Sequence, residues 1–191
     1  TLLGSTAMSA VSTIDGIFVG HGVGADGVAA VNIVAPIYQV MAGLGFMIGA
    51  GCSVVSSIHL SHKKLKVARI NVSQALLAAS LLSLLIIAAV MLFPEGTARL
   101  LGASDTLMPQ VTDYLKWIMP AFLFEMWSLI ALFIIRLDGA PKYAMWCNMI
   151  PAFMNVVLDW LFIFPLGMGV KGAAVATVIS QGVSVVLCIL Y

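Results

Sequence analysis

The sequence predicts an all-α polytopic membrane protein with six transmembrane helices. Two compositional facts and one pattern carry that expectation. Of the 191 residues, 62% are hydrophobic and only 9% are charged. A soluble domain carries about 25% charged residues, so these few charges cannot cover a water-facing surface. The mean hydropathy is +1.11. The apolar residues gather in six runs separated by short polar punctuation. The expected helices are residues 1–20, 28–58, 72–93, 114–135, 143–164 and 172–191.

The first run starts at Thr1 without an initiator methionine and reads as cut short at its start, and the chain stops at Tyr191 inside an apolar run. It therefore reads as an excised or incomplete piece of a longer protein, and no cleavable signal is visible. The second run is too long for one upright crossing and must tilt or protrude. Pro36 inside it is a kink that frees a carbonyl. The third run is the most uniformly apolar and is expected to be the most lipid-exposed. The fourth holds Pro120 and Glu125. The sixth opens with Gly172, Ala173, Ala174 and Ala176, small residues that allow close approach to the fifth.

The connections sort by charge. Lys63, Lys64, Lys66 and Arg69 lie between runs two and three, and Arg136 and Lys142 between runs four and five. The opposite side holds only Arg99, Lys116 and Lys171. The positive-inside rule makes the first group cytoplasmic, so the N-terminus is cytoplasmic. His59 and His62 fall in the basic loop as solvated histidines. Cys52, Cys147 and Cys188 lie in apolar runs without metal-type spacing and are expected as buried small residues. A net charge of +1 without a basic stripe gives no reason to expect a nucleic-acid partner.

Asn155 and Asp159 sit in the middle of the fifth run. Their spacing of four puts them on one helix face, one turn apart. An aspartate there costs about 2.5–3.5 kcal/mol on insertion scales. Two stacked oxygen-bearing side chains make a place for a small cation; a structural hydrogen bond to a neighbouring helix is the other role open to Asp159. Asp15-Gly16-Ile17-Phe18 followed by Gly27-Val28-Ala29-Ala30 is echoed by Asp159-Trp160-Leu161-Phe162 followed by Gly172-Ala173-Ala174-Val175. This reads as a parallel internal repeat, with two ordinary glycine-containing turns as the alternative. It makes Asp15 the counterpart of Asp159 and Asn32 that of Thr177. Asp15 also fits an interfacial, solvated acid, and Thr177 a hydroxyl bonded to its own backbone. Asp15 and Asp159, if adjacent, titrate as a coupled pair.

Glu125, among Phe122, Phe124 and Trp127, could attract a cationic aromatic compound with help from cation–π attraction. Its other reading is an acid paired with unseen chain or facing a water-filled cleft. Tyr38, Gln39 and Met41 are candidates to line the same cleft. The eleven methionines suit an adaptable surface but are also ordinary membrane filler.

Asp15-Gly16-Ile17-Phe18-Val19-Gly20 with Gly27 to Asn32 and Ala35-Pro36 resembles the first hairpin of the MATE (multidrug and toxic compound extrusion) transporters. Arg136-Leu137-Asp138-Gly139-Ala140-Pro141-Lys142 resembles that family's turn before its fifth helix. Asn155 to Asp159, Gly167 to Ala174 and Ala176-Thr177 resemble its fifth and sixth helices. Leu137 and Ala140 bring the turn closer to a subgroup related to the staphylococcal multidrug exporter. The resemblance implies one lobe of a twelve-helix transporter: residues 1–191 would be the N-terminal six-helix lobe, with the C-terminal lobe outside this chain. It implies a multi-pass protein of the bacterial cytoplasmic (inner) membrane that exports cationic amphipathic compounds by antiport against Na+ or H+. It implies a cation site at Asp15, Asn155, Asp159 and Thr177, with no cofactor beyond the coupling ion. The expected partners are small cationic drugs, the bilayer and the protein's own second lobe. A lipid-linked oligosaccharide flippase of the same superfamily is the alternative, disfavoured because no Lys or Arg lies mid-membrane. A membrane-embedded enzyme is disfavoured because the intramembrane positions hold no His and neither Asp sits in a protease motif.

Overall fold

A computed structural model describes residues 17, 18 and 20–191. Asp15 and most of the first apolar run lie outside the described residues. Residues 17–18 and 20–23 are helical and are labelled α1. There follow α2 (Ala25–Ser61), α3 (Leu65–Leu92), α4 (Pro94–Leu100), α5 (Met108–Leu137), α6 (Pro141–Ile163) and α7 (Val170–Ile189). Every regular element among the described residues is a helix, and five are long and apolar enough to cross a membrane. An isolated segment in hydrocarbon must satisfy its own backbone, and a helix does so.

Helix α5 is the axis of the bundle. It packs against α2, α3, α4, α6 and α7, and buries residues around its whole circumference, among them Leu115, Ile118, Met119, Phe122, Met126 and Ile130. Helix α2 buries one stripe, Gly27, Ala30, Val34, Met41, Gly45, Gly49, Cys52 and Ser56, at spacings of a helical face, and meets α5 at Gly45 and Gly49. Two glycines set the distance. A Cβ at Gly45 would stand 2.8 Å from Leu129 Cδ1, and one at Gly49 would stand 2.7 Å from Phe133 Cδ2 and 3.3 Å from the Ile130 Cα. Lipid tails are as apolar as leucine, so helix association in a bilayer depends on such close packing.

Helix α2 is 37 residues long and continues through Pro36. At a rise of about 1.5 Å per residue it measures roughly 55 Å, well beyond a hydrocarbon core of about 30 Å. Helix α3 covers one flank of α2 and buries the smallest share of its most apolar stretch, 17%. Leu77, Leu81, Leu84 and Leu85 stand exposed on it, a surface only lipid or another apolar face can solvate. The uniform apolarity of the third run foretold this. Nothing in the sequence reading foretold α4, a short helix that starts at Pro94 and carries Glu95 in its first turn and Arg99 in its last.

Polar side chains tie the helices together. Asn71 on α3 donates to the Cys52 carbonyl at 3.0 Å and the Ser56 hydroxyl at 2.9 Å. Trp127 Nε1 on α5 donates to Ser80 Oγ on α3 at 2.8 Å. Helices α6 and α7 are joined by Tyr143 to the Leu187 carbonyl, 2.8 Å, and Ser184 to the Cys147 carbonyl, 3.1 Å. Cys52 and Cys147 are buried, Cys188 is half-buried, and none is in a disulfide.

The α5–α6 turn closes by hydrogen bonds from Gly139 N to Arg136 O, 3.2 Å, and from Ala140 N to Ile135 O, 3.2 Å. That is a Schellman pair, and it needs the positive φ of 89° that Gly139 supplies. Beyond it, the Tyr191 hydroxyl donates to Asp138 Oδ2 at 2.7 Å, a bond that pushes the Tyr191 phenol above its ordinary range. At the other end Lys171 pairs with Asp113 at 3.3 Å, with both side chains close to half exposed. Such a pair contributes little by itself.

The glycine contact is open to test in the full-length protein. Gly49→Leu should destabilise it by about 1–3 kcal/mol, the range for overpacking a filled contact. Gly43→Ala, whose Cβ would meet nothing within 4 Å, should leave the midpoint of thermal unfolding unchanged. Equal midpoints for both variants would mean that the α2–α5 approach is not tight.

Candidate functional site

Helices α2, α5, α6 and α7 enclose a cavity of about 490 Å³. Each contributes a stripe at helical spacing. Helix α6 offers Asn148, Pro151, Ala152 and Asn155; α7 offers Thr177, Ser180, Gln181 and Ser184. Helix α5 offers Tyr114, Ile118 and Phe122, and α2 offers Val34, Ala35, Tyr38 and Gln39 among others. The walls are therefore amide, hydroxyl and aromatic. Among the described residues, no Lys, Arg, Asp or Glu lines the cavity.

Asn155 lines the cavity, half-buried, and its Nδ2 is buried without a hydrogen-bond partner. One turn further along α6, Asp159 is fully buried, at 0% exposure. Thr177 lines the same cavity from α7. Its hydroxyl donates to the Ala173 carbonyl at 3.0 Å, which leaves the oxygen's lone pairs available to a cation. The small-residue start of α7 allows this proximity. Gly169, at a φ of 61°, turns the chain into α7. A Cβ at Gly172 would stand 3.0 Å from Phe162 Cβ and 3.1 Å from the Phe162 carbonyl carbon. Asp15, the remaining member of the expected cation set, lies outside the described residues.

The substrate-side candidates divide. Tyr38 and Gln39 line the cavity. Met41 does not: it is fully buried in the α2–α5 core. Glu125 is buried, 6% exposed, three residues past Phe122 on α5 and behind the cavity wall. It interacts with the Tyr38 hydroxyl, which also engages Gln181. The Tyr38 and Phe122 rings lie 5.9 Å apart in a tilted arrangement. Flat aromatic faces beside a carboxyl are the surroundings a lipophilic cation prefers.

Sequence reasoning missed Asn148, Tyr114 and Gln181. The signal was present. Asn148 precedes Asn155 by seven residues with Pro151 between them, and Gln181 follows Thr177 by four, each an i, i+3/i+4, i+7 polar stripe on an apolar helix. Such a stripe shows that a face is polar; which neighbours share the space is a matter of packing.

A family model described as MatE matches residues 1–161. The multidrug export protein MepA of Staphylococcus aureus is 26% identical over 164 residues, covering 86% of this chain and 36% of that protein. The MepA of Staphylococcus saprophyticus is 28% identical over the same length. The chain thus spans little more than a third of the curated relatives it matches. A solved structure described as the outward-facing conformation of a multidrug resistance MATE family transporter of the MOP superfamily superposes with a TM-score of 0.87 at 24% identity, over 97% of this chain and 41% of that one. Its inward-facing counterpart gives 0.87 at 24% identity, over 95% and 41%. The fold is thus that of one lobe of a MATE transporter. With the family model matching most of its length, the chain belongs to the MatE family.

Proposed function

We propose that the chain is the N-terminal six-helix lobe, residues 1–191, of a secondary multidrug exporter. It exchanges cationic amphipathic compounds for Na+ or H+ across a bacterial cytoplasmic membrane. Its N-terminus is cytoplasmic, and its second lobe completes the transport path. The observation that carries this reading is the fully buried Asp159 one turn from Asn155, which shares a cavity with Thr177. A buried acid among apolar helices is costly and marks an ion pathway in membrane proteins. The family to which the chain belongs supports transport as the activity, and the MepA relatives support multidrug export in particular.

Carboxylate, amide and hydroxyl oxygens form a hard donor set suited to Na+, and the carboxylates alone suit H+. Asp159, Asn155 and Thr177, with Asp15, hold the coupling ion. The ion acts through its different affinity for the outward- and inward-facing states, which shifts their populations. Drug and ion need not share atoms, because the aromatic half of the cavity lies on α2 and α5 and the cation residues lie on α6 and α7. The absence of Lys and Arg among the described residues that line the cavity favours cationic cargo over the anionic lipid-linked substrates of a flippase. The chemistry is movement and not bond-making, so no catalytic residue is assigned.

In liposomes loaded with a cationic dye, the full-length protein should move dye when a Na+ or a H+ gradient is imposed. Asp159→Asn should cut that movement at least about tenfold, roughly 1.4 kcal/mol of lost coupling. Unchanged movement would take Asp159 out of the mechanism, and no movement under either gradient would refute drug antiport. For Na+ coupling, Thr177→Ala should weaken the ion's half-saturation about fivefold, the worth of one modest polar contact. Thr177→Ser, which keeps the oxygen, should restore it. Equal behaviour of the Ala and Ser variants would remove the hydroxyl from the ion site.

A further inference from the structure

The α2–α3 hairpin outruns the bundle it belongs to. Helices α2 and α5 run in the same direction, with Gly45 against Leu129 and Gly49 against Ile130 and Phe133. Beyond that level α5 ends at Leu137, whereas α2 continues to Ser61 and α3 turns back only from Leu65. At about 1.5 Å per residue the tip stands roughly 10 Å past the end of α5. Arg136 and Asp138 mark where α5 leaves the hydrocarbon, because charges inside it are costly. The headgroup layer outside the hydrocarbon is about 5–8 Å thick on each side. The turn and the first residues of α3 therefore lie at headgroup level.

What the tip carries fits that level. Lys63, Lys64, Lys66 and Arg69 are all exposed. Ile58, Leu65 and Ile70 stand among them, each more than half exposed. The ion pairs among the described residues, Arg99–Asp105 and Lys171–Asp113, involve none of these four cations. Asp138, an acid at the same end, takes the Tyr191 hydroxyl instead. The backbone adds an independent sign. Lys63 N donates to the Leu60 carbonyl at 2.9 Å and Lys64 N to the His59 carbonyl at 2.9 Å. This is a second Schellman pair, with Lys63 at its left-handed position, φ 57°. The α5–α6 turn fills the equivalent position with Gly139. A residue with a Cβ is strained there, so a lysine at that place is a sign that its charge is used.

We propose that the α2–α3 tip is a docking site for anionic phospholipid headgroups, with Lys63, Lys64, Lys66 and Arg69 on the phosphates and Leu65 and Ile70 in the acyl boundary. Lysine stems lie along apolar surface while their ammonium groups reach outward, and a guanidinium takes a phosphate through two parallel hydrogen bonds. A water-soluble polyanion would satisfy the cations and leave Ile58, Leu65 and Ile70 in water, so the mixture of groups selects a lipid. Each cation near an anionic surface strengthens the hold severalfold. The site is separate from the cavity and takes no part in holding the coupling ion. Tyr38 and Gln39 of α2 line the cavity, so the tip fastens a cavity wall to one leaflet.

The test uses the purified full-length protein in detergent, with dioleoyl phosphatidylglycerol and dioleoyl phosphatidylcholine as competing probes and native mass spectrometry to count each bound lipid. Wild type should hold phosphatidylglycerol in preference, and the preference should shrink between about 0.1 and 1 M ammonium acetate as the Debye length falls from roughly 10 to 3 Å. Replacing Lys63, Lys64 and Lys66 together by Gln should cut the preference at least about tenfold, and replacing them by Arg should keep it. Arg99→Gln with Lys116→Gln, at the other end of the bundle, should also keep it. Should the triple Gln variant fail to fold, Lys63→Gly takes its place. It relieves the left-handed strain, so its thermal midpoint should not fall, while its preference should drop about fivefold. A wild type without preference, or one whose preference ignores salt, would overturn the site. So would wild-type preference in the triple Gln variant or in Lys63→Gly, or an equal loss on changing Arg99 and Lys116.

Discussion

The approach of α2 to α5 at Gly45 and Gly49 is the contact on which the rest of the lobe depends. Water cannot drive helices together inside hydrocarbon, so the close fit of surfaces must do it. Helix α5 carries bulk on every side, with Leu115, Phe122, Met126 and Ile130 fully buried. A second helix can lie against it only by being thin where α5 is thick. Glycine at two successive turns of α2 meets that requirement, and the ridge of Leu129 and Phe133 settles over it. Once α2 and α5 are in place, α3 closes the outer flank and α7 the inner one.

Polar groups then give the bundle its register. Asn71 bridges α3 to the Cys52 carbonyl and the Ser56 hydroxyl, and Trp127 meets Ser80. These bonds are worth individually modest amounts, about 0.6 kcal/mol on average in one membrane protein. Their directionality matters more, because van der Waals packing alone tolerates a slide along the axis. Many of the hydroxyls, such as those of Ser80, Thr177 and Ser180, also donate back to a carbonyl one turn earlier. That local bond satisfies the proton and leaves the oxygen to accept from elsewhere. Ser80 does this for Trp127, and Thr177, which lines the cavity, keeps an oxygen able to accept in the same way.

The cavity follows from a mismatch of side chains. Where α2 and α7 flank α5 near its middle, they present Ala35, Thr177 and Ser180, residues too small to fill the gap. The space left is lined by amides and rings, with acids set back from it: Asp159 beyond Asn155 on one side, Glu125 behind Tyr38 on the other. The two acids stand on different helices, α6 and α5.

Much was legible in the sequence because a bilayer is an exacting solvent. It demands apolar runs of helical length, so composition and the pattern of those runs together pointed to an all-helical membrane protein. The spacing of Asn155 and Asp159 put them on one face before any coordinates, since that follows from helix geometry within one segment. What the tertiary structure decided concerns pairs of segments. Met41 and Tyr38 are three residues apart on α2, yet one is sealed in the core and the other opens to the cavity. Periodicity shows that faces differ; it does not say which neighbour each face meets. Gln181 and Asn148 joined the site only when α6 and α7 were brought together, and Glu125 met Tyr38 only because two glycines let α2 come close. Local spacing is written along the chain, whereas the meeting of distant residues depends on how closely whole helices can pack.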